Sequence, residues 1–301
     1  MWINTLAMSR WGPSIGLTLV RLIPKRFAYG VGTLLARWVA FNSNATINRV
    51  IRSNQAMVRG LPYDDPRLDR AVFEVMRMNA RGFVDFFKAI AGGEEAVSRI
   101  CVIDEPLRTN LKKWLEGDRG VVIIAPHLLG FDVFMLYLGI LRYPIQALSY
   151  PNPKGSYVAQ NILRRRFGLN VTPISVQTLR EAIHQLRYGN VIATAVDRPG
   201  LGGEPLEFFG QEVILPVGPA RLAVKTRSRV IACISYLDDS GIYHGMSTAE
   251  FEPLDTGDEK ADAHDLAQRV LKTFEEYIVK RPDQWLMFYP VWPGTLPTSQ
   301  S

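Results

Sequence analysis

The stretch Val121-Val122-Ile123-Ile124-Ala125-Pro126-His127-Leu128-Leu129-Gly130-Phe131-Asp132 decides how the rest of the chain is read. An apolar strand ends at Ala125, His127 falls in the turn that follows, and Asp132 lies in the first turn of the next helix. Similar β-rich runs recur downstream at 145–150, 170–174, 191–196, 230–236 and 242–246. Helical patterns lie between and after them, at 131–141, 155–167, 176–187 (ended by Gly189), 218–227 and 260–280. This alternation predicts an α/β fold with a parallel or mixed central sheet flanked by helices. Upstream, a Pro-containing turn at 61–65 precedes a helix running from about residue 65 into the 80s through Val72, Val75, Met76, Phe83, Phe86 and Phe87. Gly92-Gly93-Glu94-Glu95 is read with its neighbourhood as a loop at 93–96, which divides the chain into 1–95 and 96–301.

Composition excludes several classes. With 301 residues, 47% hydrophobic and 21% charged, and a mean hydropathy of +0.01, the chain is globular, neither disordered nor a multi-pass membrane protein. Cys101 and Cys233 have neither C-x-x-C nor zinc-ligand spacing, so a reducing compartment is expected. No stretch has the shape of a signal peptide.

The net charge of +6 is uneven. Residues 1–63 hold eight bases and no acid, which leaves 27 basic and 29 acidic residues for the remainder. The basic excess therefore belongs to the head, and such a block faces nucleic acid or a lipid surface. This head is apolar as well: Phe27, Val31, Leu34, Leu35, Trp38 and Phe41 recur at helical spacing, with Arg26 and Arg37 beside them. Arg21, Pro24, Lys25 and Arg26 interrupt the apolar runs before they reach the roughly 18–20 residues a spanning helix needs. An amphipathic segment lying on an anionic membrane is the reading, and nucleic acid is not expected as a partner.

Among catalytic motifs, Gly12-Pro13-Ser14-Ile15-Gly16 fits G-x-S-x-G but lacks the preceding strand that a nucleophile elbow requires. There is no Walker loop, no G-x-G-x-x-G after a strand and no H-E-x-x-H. His127-x4-Asp132 stands out by position, since functional groups in α/β proteins gather at the carboxyl ends of strands. A nearby helix N-terminus is expected to keep His127 neutral and able to accept a proton, and a carboxylate on its other ring nitrogen would fix the tautomer. His184, His244 and His264 have no comparable setting.

These residues resemble the signature of the lysophospholipid acyltransferase superfamily, and specifically its lipid A (lauroyl/myristoyl) and phosphatidylinositol mannoside acyltransferase branch. The similarity runs through Asn161–Gly168, an arginine-bearing helix, and through Val196-Asp197-Arg198-Pro199. It continues in Phe208-Phe209-Gly210 and Leu215-Pro216-Val217-Gly218-Pro219-Ala220, and ends at Arg281-Pro282-Asp283-Gln284-Trp285. The F-P-E-G-T-R block of the glycerol-phosphate branch is absent, which argues against glycerol-3-phosphate or lysophosphatidate as acceptor.

The resemblance implies a glycerolipid acyltransferase-like fold and transfer of a fatty acyl chain from acyl carrier protein or coenzyme A to a hydroxyl of a lipid or glycolipid. It implies no metal and no cofactor beyond the acyl donor, and work at the cytoplasmic face of the inner membrane, as a peripheral or monotopic protein. His127 is the expected base and Asp132 or Asp197 the acid that orients it, while Arg164, Arg166 and Arg198 are expected to contact phosphate or carbonyl groups. Apolar residues after the motif, such as Phe134 and Met135, would form the core face of their helix or line an acyl groove. The competing readings are an acyl hydrolase using the same His–Asp pair on water and a non-catalytic lipid-binding protein of the same fold.

Overall fold

The computed structural model describes residues 22–153, 156–200 and 202–295. Among these residues three helices come first: α1 (Lys25–Phe41), α2 (Thr46–Arg59) and α3 (Arg67–Ile100). Next come β1 (Cys101–Ile103), α4 (Glu105–Leu115), β2 (Val121–Ala125), α5 (Phe131–Ile140), β3 (Ile145–Ser149), α6 (Ser156–Arg166), β4 (Asn170–Pro173), α7 (Val176–Arg187) and β5 (Val191–Ala195). The hairpin β6 (Glu204–Phe208) and β7 (Gln211–Leu215), α8 (Gly218–Thr226), β8 (Arg229–Leu237), β9 (Tyr243–Phe251) and α9 (Glu259–Lys280) complete the order.

Seven strands form one sheet in the order β1-β9-β8-β2-β5-β3-β4. Only β8 and β9 pair antiparallel, so the sheet is mixed, as the alternation of elements predicts. β2 lies between β5 and β8 and all five of its residues are buried. Val122 and Ile124 pack with residues of α7, α8 and α9, whereas Val121 and Ile123 pack with residues of α4 and α5. Strand alternation thus assigns these helices to opposite faces of the sheet. Each such burial contributes about 1.5–3 kcal/mol over exposure, which favours an unbroken apolar run at the centre over one at an edge.

Gly130 starts α5 at φ +97°, where a Cβ would lie 2.7 Å from Tyr243 Cδ1. Both the left-handed backbone and the close approach demand glycine there. The β6–β7 hairpin turns through Phe209 (φ 54°) and Gly210 (φ 70°), the two positive values of a tight right-twisting turn. Phe209 is held there by its N–H donating to Glu275 Oε1 at 2.7 Å and by ring packing on Trp285 and Trp292.

The expected loop at 93–96 is not present. α3 continues to Ile100 and bends at Gly93, because Phe86, Ala89 and Val97 pack on Leu136, Leu163 and Phe167 and hold both halves to the body.

The basic head is also less uniform than its charge suggests. Arg10, Arg21 and the G-x-S-x-G match lie outside the described residues. α2 buries Asn48, Ser53, Asn54 and Gln55. Its Arg52 pairs with Asp69 and its Arg59 with Asp283, so these bases serve internal contacts. Lys25 contacts buried Asp85 at 2.9 Å, where Tyr29 Oη (2.5 Å) and Tyr243 Oη (2.8 Å) also donate. The apolar stripe of α1, by contrast, faces outward: Phe27, Leu34, Leu35, Trp38 (76% exposed) and Phe41 (90%) stand in solvent beside exposed Arg26 and Arg37. Among the described residues no helix is long and apolar enough to cross a membrane.

Candidate active site

His127 follows β2 at the carboxyl edge of the sheet, and Asp197 occupies the corresponding place after β5, the strand paired with β2. Parallel pairing therefore brings together two residues that are 70 positions apart in the chain. His127 Nδ1 lies 2.6 Å from Asp197 Oδ1, and the His127 backbone N–H donates to Asp197 Oδ2 at 2.8 Å. A third donor, Trp285 Nε1, reaches Asp197 Oδ2 at 2.8 Å. Asp197 is wholly buried, while the His127 side chain is 36% exposed toward the cleft. With Nδ1 against a carboxylate, that nitrogen carries the proton and Nε2 faces outward as an acceptor.

Burial alone would push the Asp197 pKa up. The charge and hydrogen bonds of His127, joined by the Trp285 N–H, overcome it and hold the carboxyl below its ordinary value. For His127, desolvation opposes the charged ring, but the charge and hydrogen bond of Asp197 outweigh it and raise its pKa above the ordinary 6.5. Arg198 works against this rise and Asp132 adds to it. The helix end expected to disfavour the charged ring is thus opposed by a buried carboxylate in contact, whose effect on the His127 pKa is the stronger.

Of the two carboxylates offered by the sequence, Asp197 is the one that touches His127. Asp132, in the first turn of α5, instead accepts from Arg164 Nη2 of α6. Arg164 is buried, donates to Asn161 Oδ1 at 2.6 Å, and lies over the Tyr157 ring. Burial opposes its charge, but Asp132 reverses this and raises its pKa. Arg198 is held between the rings of Tyr289 (3.7 Å) and Tyr150 (4.6 Å), and its buried Nε has no hydrogen-bond partner among the described residues. Arg166 is exposed and lines neither cavity at the site. Two residues along a helix is about 200° of rotation, which turns it away from the Arg164 face.

Two cavities meet at His127. One, of about 640 Å³, has a largely apolar wall including Phe131, Met135, Leu148, Leu179, Ile183 and Leu222. The other, of about 390 Å³, is bounded by Asn79, Gly82, Phe83 and Phe86 on one face of α3 and by Asp132 and Tyr289. His127, Phe131, Tyr157, Arg164 and Arg198 belong to both. Met135 reaches the larger cavity, whereas Phe134 packs in the core beneath α5. Among the described residues no group of three or more His, Cys, Asp or Glu gathers to hold a metal ion.

Trp285 is the neighbour of the His127–Asp197 pair that motif reading did not assign. The segment around it clamps the His127 turn: Leu129 N–H donates to Gln284 O at 2.7 Å and Leu286 N–H to His127 O at 2.9 Å. The Gln284 side chain in turn bridges the N–H and C=O of Leu237 at 2.9 and 2.8 Å. The sequence signal was Arg281-Pro282-Asp283-Gln284-Trp285 itself, whose indole can only donate and therefore seeks an acceptor when buried.

Two comparisons bear on this arrangement. The chain is 27% identical to a phosphatidylinositol mannoside acyltransferase of Mycolicibacterium smegmatis, over 93% of this chain and 90% of that one. It is 25% identical to a protein of the same name from Mycobacterium tuberculosis, over 98% and 92% of the two. The sequence profile of the bacterial lipid A biosynthesis acyltransferases matches residues 4–293, nearly the whole chain, including every element that builds the His127–Asp197 contact. The chain therefore belongs to the bacterial lipid A biosynthesis acyltransferase family and is an acyltransferase.

Proposed function

We propose that this glycerolipid acyltransferase-like fold moves a fatty acyl chain from a thioester, on acyl carrier protein or coenzyme A, to a hydroxyl of a glycolipid. The acceptor is of the lipid A or mannosylated inositol lipid type, met at the cytoplasmic face of a membrane. The observation carrying this reading is His127 on a wall common to two cavities, with Asp197 buried behind it against Nδ1. In it, Asp197 orients His127, and Nε2 takes the proton of the acceptor hydroxyl as the oxygen attacks the thioester carbon. The tetrahedral oxyanion needs a donor, and the guanidinium of Arg198, on the same wall, supplies one. Collapse expels the thiolate, which recovers the proton from the imidazolium, leaving an ester and a free thiol.

The larger, apolar cavity takes the acyl chain, and the smaller one, bordered by Arg164 and α3, takes the acceptor head. The outward stripe of α1, flanked by Arg26 and Arg37, rests on the anionic leaflet. The test uses a labelled acyl thioester with total glycolipid as acceptor. Label appearing in ester-linked glycolipid supports transfer, while release as free fatty acid at the same rate with or without acceptor would assign the pair to hydrolysis.

A further inference from the structure

α7 and α8 cover the sheet face opposite α4 and α5, and the acyl-sized cavity opens between them past Leu179, Ile183 and Leu222. On the outer side of α7, Arg180, His184 and Arg187 fall at i, i+4 and i+7, on one exposed face. Lys225 of α8 is exposed, and it joins Arg187 on one wall of a surface depression whose other wall carries Asp255, Glu259 and Asp262, the last of which accepts from Thr256. Neighbouring bases are neutralised: Arg119 pairs with Glu252, Arg221 with Glu204 and Arg227 with Asp255. Arg180, Arg187 and Lys225 have no hydrogen-bond or ion-pair partner among the described residues. Exposed Val176 and Tyr188 flank the row, and Glu181, the acid of α7, accepts from Gln177 at 3.1 Å.

We propose that this α7–α8 face docks an acidic carrier protein that presents the acyl thioester to the larger cavity. The inference rests on the function proposed above and names the form of its donor. Unpaired cations at a cavity mouth raise the local concentration of an anionic partner and speed its encounter. The α7 row spans about 10 Å at 1.5 Å per residue, the reach of an acidic helix and longer than one phosphate group. An exposed tyrosine such as Tyr188 supplies an apolar anchor within a charged rim. The stripe of α1 belongs to a helix that packs on α3, and neither α1 nor α3 packs substantially on α7 or α8, so a molecule resting on α1 leaves α7 and α8 open to a soluble partner.

The test gives one acyl chain on acyl carrier protein, on coenzyme A and on pantetheine to wild type and to Arg180→Glu/Arg187→Glu, neither of which lines the larger cavity. With the carrier protein, KM should rise about tenfold or more at little-changed kcat, and its salt dependence should weaken. The other two donors should change by less than about twofold, and Arg180→Gln/Arg187→Gln should fall between. A loss shared by all three donors, or by coenzyme A and the carrier protein alike, overturns the proposal, as does no loss with any. Lost binding to anionic vesicles with unchanged carrier-protein KM gives the face to lipid and also overturns it. Fluorescence anisotropy of labelled carrier protein reads docking without chemistry. If wild type transfers from no donor, the proposed function fails while anisotropy still decides the docking face.

Discussion

At the residue scale, the His127–Asp197 contact depends on a third side chain. Asp197 is buried with three donors directed at it, and only one of them, the Trp285 indole N–H, comes from outside the His127 segment. Trp285→Phe keeps most of the ring volume and removes that donor. It should cost about 1–3 kcal/mol of stability and slow transfer, since Asp197 loses a partner that fixes its orientation. Thermal unfolding and a kcat measurement check this, and unchanged values in both would deny Trp285 its role. His127 was legible as a candidate because it follows an apolar strand, at the edge of the sheet where α/β proteins gather functional groups. The choice between Asp132 and Asp197 was not legible, because it depends on which strand lies beside β2 and on Arg164 occupying Asp132 first.

At the element scale, α1 is fastened to the body through Asp85 of α3. Tyr29 and Tyr243 donate to it and Lys25 pairs with it, while Tyr243 also packs against Gly130 in the His127 turn. Burial, with Asp85 beside it, raises the Tyr243 pKa, so the hydroxyl stays a donor. Asp85→Ala leaves two tyrosine hydroxyls without their acceptor and should cost about 2–4 kcal/mol. Hydrogen exchange over residues 25–41 should quicken as well, and unchanged protection there would show that α1 is held by its apolar contacts alone. Long periodic elements such as α7 and α9 were readable within a residue or so. β1, with three residues, and the β6–β7 hairpin were not, because their pairing is set by partners far along the chain. Polar α2 belongs by sequence to the basic head read as membrane-associating, yet its Asn54 binds Met287 O, Tyr289 O and Val291 N of the C-terminal segment.

At the scale of the whole molecule, the charge block at the start of the sequence divides into bases used internally and bases left outside. Arg26 and Arg37 are the described outward pair on α1, each contributing about 1 kcal/mol near an anionic surface at low salt. Arg26→Gln/Arg37→Gln should reduce binding to anionic vesicles about tenfold or more, and added salt should do the same to wild type. Trp38→Ser/Phe41→Ser should weaken binding to neutral and anionic vesicles alike, because it removes apolar area. Co-sedimentation measures both, and equal wild-type binding to neutral and anionic vesicles at every salt concentration would remove the electrostatic part. Lys25 is left out of this test because its pair with Asp85 makes it part of the fold.

The most direct measurement is the pH profile of kcat/KM for acyl transfer in wild type, Asp197→Asn and Asp132→Asn. A base must be neutral to accept a proton, so activity falls as pH drops through the His127 pKa, which Asp197 holds above 6.5. Asp197→Asn should move this acid limb to lower pH while cutting the plateau by about 10²-fold or more. Asp132→Asn should move it less, in the same direction, since Asp132 acts on His127 only through its charge. An acid limb that stays in place in Asp197→Asn, or moves further in Asp132→Asn, would contradict the His127–Asp197 dyad.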